Sequence, residues 1–121
     1  MQKVIVNLNI NDYKLITHGY LNNEILSFID NDELKTNIIY DFKNDLLIKD
    51  NKDITIKIKF KEKENNLEFF LKKENITFNG VLDEFKLIKE PTRVIIYYKI
   101  EANQFNLDLS YEEEEKWLIN N

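Results

Sequence analysis

One imidazole, one guanidinium and two serine hydroxyls are the scarce reactive groups of this chain. His18 stands in Thr17-His18-Gly19, where an alternating apolar segment runs out. It is either a titratable group at a barrel rim or an ordinary loop histidine, and one unpartnered imidazole implies no chemistry. Arg93 is the only arginine, and its planar fork suits a carboxylate or phosphate in a way lysine does not. It follows Pro91 and precedes an apolar run, so it stands at a barrel mouth or pairs with Glu90 or Glu101 on the surface. Ser27 and Ser110 have no motif partner, there is no Gly-rich phosphate loop, and Asp83 and Glu84 fall on opposite faces of an extended segment. A nucleophile, base and orienting group are not assembled anywhere, so the expectation is a protein that is not an enzyme and needs no cofactor. The absence of cysteine removes disulfides and, with a single histidine, any conventional zinc site; no metal is expected.

Groups suited to binding are more numerous. Tyr40, Tyr98 and Tyr111 fall in register with apolar core positions, and a buried phenol needs a partner for its hydroxyl. Together with Arg93 they are the candidate ligand-binding residues of a partly polar interior; the plainer reading is a filled barrel whose hydroxyls reach water. Lys57, Lys59 and Lys61 form a ridge, with Lys72, Lys73 and Phe70 beside it, as on a single-strand nucleic-acid surface. Glu62, Glu64 and Glu68 interleave with it, however, and the formal charge of −5 owes −4 to the glutamates at 112–115, leaving a nearly neutral body. No nucleic-acid partner is expected. Phe28, Ile39, Phe70, Ile95 and Tyr97 belong to predicted strands that are apolar on both faces, and with Trp117 they are the candidate interaction surface. Either the tail of Trp117, Leu118 and Ile119 covers that surface or a second copy does, so the chain is a monomer or a homodimer.

The elements that must carry these residues are strands. Over residues 53–61, Ile54, Ile56, Ile58 and Phe60 point one way and Thr55, Lys57, Lys59 and Lys61 the other, the pattern of a half-buried antiparallel strand. Similar runs recur along the 121 residues, separated by Asn and Asp at turns where glycine is the commoner choice. Gly19 is read as a bulge or a left-handed position, and Asn79-Gly80 as the strongest hairpin turn. The connections leave no room for crossover helices, so the strands pair antiparallel as a meander. The predicted architecture is a single all-β barrel of about 8–10 strands, with a two-sheet sandwich as the alternative. The barrel occupies residues 1–111, and 112–121 form an acidic tail or short helix packed against it. The longest apolar run, residues 94–98, is too short to span a bilayer, and the N-terminus lacks a signal-peptide core. No membrane partner and a cytoplasmic location are expected.

The order of Gly19, the run at 24–29, Ile38-Ile39-Tyr40, the segment 49–51, Phe60 and the run at 93–100 resembles a family of small uncharacterised bacterial proteins with a lipocalin-like, calycin-type β-barrel. That resemblance implies the barrel and supplies no catalytic residue. The expected function is a non-enzymatic barrel binding a small, partly apolar ligand in its interior. The alternative is a filled barrel used as a protein-protein interaction or self-association module.

Overall fold

Period-two alternation becomes strand throughout. The computed structural model describes residues 1–61, 66–115 and 118. Eleven strands follow one another: β1 (Gln2–Ile10), β2 (Tyr13–Asn22), β3 (Ile25–Ile29), β4 (Asn37–Asp41), β5 (Leu46–Asp50), β6 (Ile54–Lys59), β7 (Leu67–Leu71), β8 (Ile76–Gly80), β9 (Glu84–Glu90), β10 (Arg93–Ile100) and β11 (Asn103–Glu113). All pairings are antiparallel. The sheet is one meander in the order β8-β7-β6-β5-β4-β3-β2-β1-β11-β10-β9. It is curled into a half-barrel, and β8 and β9 are its two edges, not hydrogen-bonded to each other. The all-β meander expected from the pattern is therefore present in one sheet, while its closure is incomplete.

The inner face follows the parity seen in β6. Ile58 and Phe60 are buried, Ile54 and Ile56 half-buried, and Lys59 exposed. Val4, Val6, Leu8, Leu26, Ile38, Val94, Ile96, Leu107 and Leu109 complete a core whose larger side chains each contribute roughly 1.5–3 kcal/mol by leaving water. The curl is visible as contacts between strands far apart in the sheet. Phe60, beyond the end of β6, meets Phe85 of β9 and Tyr98 of β10 at ring-centroid distances of 6.1 and 5.4 Å. Phe42, beyond β4, meets Tyr111 of β11 at 5.6 Å. Polar contacts reinforce the same closure. The Leu82 amide donates to Asn66 Oδ1 at 2.7 Å, and Lys89 Nζ donates to the Phe42 carbonyl at 2.6 Å.

Turn chemistry follows the expected substitution of Asn and Asp for glycine. Asn11, Asn23, Asp45 and Asn75 take positive φ, as do Glu24, Lys35 and Glu101, whereas neither glycine does. Two readings are thereby corrected. Asn79-Gly80 is not a turn but the end of β8, and the β7–β8 turn runs through 72–75. Gly19 lies inside β2 with ordinary strand backbone; a Cβ there would stand 2.7 Å from Val6 Cγ2 and 2.8 Å from the Ser27 carbonyl oxygen. Close approach of two strands, not a bulge, requires it. The turn expected at Asn65-Asn66 lies partly outside the described residues, as does Trp117. β11 runs on to Glu113, paired with Val4, before residues 114–115 begin a helical turn.

Candidate functional site

The residues singled out as a ligand set do not meet. Tyr40 and Tyr98 are packed into the core, and Tyr111 is half-buried at its margin. Tyr98 stacks on Phe105 at 4.9 Å, and burial pushes its phenol up to about 12. Tyr40 packs edge-on against Phe42 at 4.9 Å, and burial, then the nearby Asp45 carboxylate, raises its phenol well above the ordinary range. These rings fill the space they were expected to line. Arg93 is on the outer face, where its Nε and Nη2 grip Asp108 at 2.9 and 2.6 Å. Its hydrogen-bonded partner is thus on β11, because antiparallel pairing brings Asp108 diagonally across from it, while Glu90, directly opposite on β9, adds a weaker charge attraction. The adjoining outer groove of about 340 Å³ also receives Asn7, Ile16 and Ser110, but the guanidinium fork is already occupied.

The expected interaction surface is likewise dispersed. Phe28 points inward and is buried, since it shares parity with Leu26. Ile39, Phe70, Ile95 and Tyr97 are half-buried on the outer face, on three separate strands, β4, β7 and β10. In the lysine ridge, Lys57 lies 3.9 Å from Glu68, Lys61 3.8 Å from Asp45, and Lys72 2.8 Å from Asp50.

Unequal strand lengths create a different site. β2 has ten residues and β3 five, and of β2 only Gly19, Tyr20, Leu21 and Asn22 pair with β3. Below Gly19, β2 keeps β1 on one side and loses its neighbour on the other. The chain leaves β3 at Asp30 into a loop held by an Asp30 N–H to Thr36 carbonyl bond of 2.8 Å and by Asp32, which accepts from the Thr36 amide at 2.8 Å and hydroxyl at 2.5 Å. These bonds hold the Asp32 carboxyl below the ordinary range. Tyr13 at the foot of β2 donates its hydroxyl to Asp30 at 2.6 Å. The β2–β3 pairing therefore ends at Gly19–Phe28, and the Tyr13–Asp30 bond ties the following loop to the foot of β2.

The opening is a cleft of about 370 Å³ lined by Thr17, His18, Tyr20, Ser27, Phe28, Ile29 and Asn37. Thr17 and Phe28 come from the inner parity of their strands and the others from the outer parity, so the cleft cuts into the wall. Ile29 and the Tyr20 ring, both exposed, supply apolar surface. Among the described residues, the side chains of Thr17, Ser27 and Asn37 make no hydrogen bond, which leaves two hydroxyls and an amide for a guest. His18 is exposed, with Nδ1 3.4 Å from Glu114 Oε1. No hydrogen bond joins Ser27 to His18, so the nucleophile–base contact of acyl transfer is not made. No group of acids and histidines suited to a metal occurs among the described residues.

Lys49 was not singled out by the sequence, yet it lies on the inner face between Ile38 and Ile56. Among the described residues its amine has no hydrogen bond or ion pair; burial holds it below the ordinary lysine range, and Asp30 partly offsets this. Of the cleft's lining residues the sequence had singled out His18, Ser27 and Phe28, each for another reason, and Gly19 marked the neighbouring close approach. Thr17 and Asn37 carried no signal, and nothing local joined Ser27 to them, because the cleft depends on where β3 stops pairing.

No family model matches this chain, and neither a curated protein nor a solved structure matches it. The barrel element of the resemblance is supported by the fold alone, and no helix among the described residues is long and apolar enough to cross a membrane.

Proposed function

We propose that this chain is a non-enzymatic, lipocalin-like binder of a small, partly apolar ligand, working in the cytoplasm, and that the ligand enters the cleft between β2 and β3. One observation carries the reading: apolar side chains and unengaged hydroxyl and amide groups share an opening of about 370 Å³, within the size range of small-molecule pockets. The packed tyrosines direct the ligand to the wall instead of the centre of the barrel. Non-enzymatic binding is favoured because Ser27 and His18 are not joined, and nucleic acid is disfavoured because Lys57, Lys61 and Lys72 already face acids. An interaction module is the second reading, favoured by the exposed apolar residues Ile76 and Phe78 at the open sheet edge.

1-Naphthol, an apolar ring with one hydroxyl, is a suitable probe. Titration into the labelled protein is expected to shift the amide signals of Thr17, Ser27 and Asn37. Ile29→Asp, at an already exposed position, should weaken binding by roughly tenfold, as loss of an apolar contact of about 1.4 kcal/mol would. Shifts confined to other strands, or equal affinity in Ile29→Asp, would discard the cleft as the site.

A further inference from the structure

We propose that β8 is a self-association edge: two copies of this chain join by antiparallel pairing of Ile76–Gly80 in each. The inference does not depend on the ligand reading. Among the described residues, β8 is bonded to β7 on one side and to no strand on the other. An unpaired edge presents a row of N–H and C=O groups, and soluble proteins ordinarily guard such edges with charge, proline or a covering segment.

The two edges of this sheet differ in that respect. β9 carries Glu84, Lys86, Lys89 and Glu90 and is followed by Pro91. β8 reads Ile-Thr-Phe-Asn-Gly, with no charge and no proline. Its apolar residues are also left uncovered. Leu71 pairs with Ile76 and Phe69 with Phe78, so the inner apolar rows run out to this edge, where Ile76 is 44% and Phe78 53% exposed. The outer parity supplies Thr77 and Asn79, whose side chains hydrogen-bond readily across a strand pair.

The same features select the occupant. A neutral strand with alternating apolar and small polar residues complements itself. Centred on Phe78, an antiparallel pair sets the two Phe78 rings side by side; centred on Thr77, it sets Ile76 against the partner's Phe78. Either register keeps apolar residues on one face of the joined sheet, and either is two-fold symmetric, so association stops at two. Docking of β8 on the charged β9 of another copy would instead be head-to-tail and would not close.

Sedimentation from about 1 µM to about 1 mM is expected to show a monomer–dimer equilibrium. Phe78→Lys, at an exposed position, should weaken dimerisation by at least about tenfold with an unchanged circular dichroism spectrum. A nitroxide on Thr77→Cys gives an independent measure, since the chain has no cysteine of its own. In the dimer the two labels should lie within about 20 Å, because directly opposed Cα atoms of paired strands are about 5 Å apart. A chain that stays monomeric at the highest concentration overturns the proposal and leaves the edge to a strand of another protein. A dimer with distant labels, or one undiminished by Phe78→Lys, overturns it as well.

Discussion

Gly19→Ala is expected to destabilise the fold by about 2 kcal/mol, and Gly19→Val by about 3 kcal/mol or more. The new Cβ would stand 2.8 Å from the Ser27 carbonyl oxygen, and no rotamer change relieves a contact with backbone. Either β2 and β3 separate at the head of the cleft or Val6, 2.7 Å away, is displaced from the core. The other glycine is an internal control. At Gly80 the added methyl meets Leu67 Cδ2 at 3.5 Å, an ordinary contact, so Gly80→Ala should stay within about 0.5 kcal/mol of the parent. Denaturant midpoints measure both. Equal effects at the two positions would mean that the approach of β2 to β3 is looser than described.

Lys89→Met is expected to cost about 2–3 kcal/mol, although the lysine itself is partly exposed. Asp45 sits in the β4–β5 turn with a φ of 51° and is only 2% exposed. Lys89 Nζ reaches its Oδ1 at 3.1 Å and also donates to the Phe42 carbonyl at 2.6 Å; Lys61 is a more distant partner at 3.8 Å. Methionine keeps the packing of the stem but leaves the buried carboxylate with Lys61 as its one cation among the described residues, beside the Tyr40 phenol. Asp45→Asn should cost less, about 1 kcal/mol, because asparagine tolerates the left-handed backbone and the two lysine heads can return to water. The ordering is the informative outcome, read from unfolding midpoints of the two variants. If Asp45→Asn is the more damaging, desolvation of the carboxylate is not what the lysines offset.

Strand parity was the most legible property of the sequence. The alternation at 53–61 placed Ile58 and Phe60 inside and Lys57 and Lys59 outside, as they are. Asparagine and aspartate marked most of the turns because their side chains bond nearby amides, as Asn51 does with those of Asp53 and Ile54 at 2.9 and 3.0 Å. Asn79-Gly80 misled because the same dipeptide is neutral in a strand when a better turn lies just upstream, with Asn75 in the left-handed region. Phe28 was assigned to an outer face although it shares parity with Leu26, which the register makes plain. Arg93–Asp108 could not be read locally, since those residues meet only after β10 and β11 pair. The cleft was the least legible feature. It arises where β3 ceases to accompany β2, and that depends on the curl of the sheet and on a contact between Gly19 and Ser27 across the intervening turn.

Every neighbouring pair in the sheet is also consecutive in the chain, with one exception, β1 and β11. That exception orders assembly in time. As the polypeptide leaves the ribosome, β1 and β2 can form a hairpin at once, but β1 then presents a bare flank while β3 to β11 are still to come. The hairpins from β3 to β8 add one after another at small entropic cost, whereas seating β11 on β1 closes a loop that contains every strand from β2 to β10. The slow step of folding is expected to be this last docking, with late protection in refolding of the β1 amides that face β11 as its signature. Until then Val4, Val6 and Leu8 sit beside an open strand edge, and that interval is when the nascent protein is most exposed to misassociation.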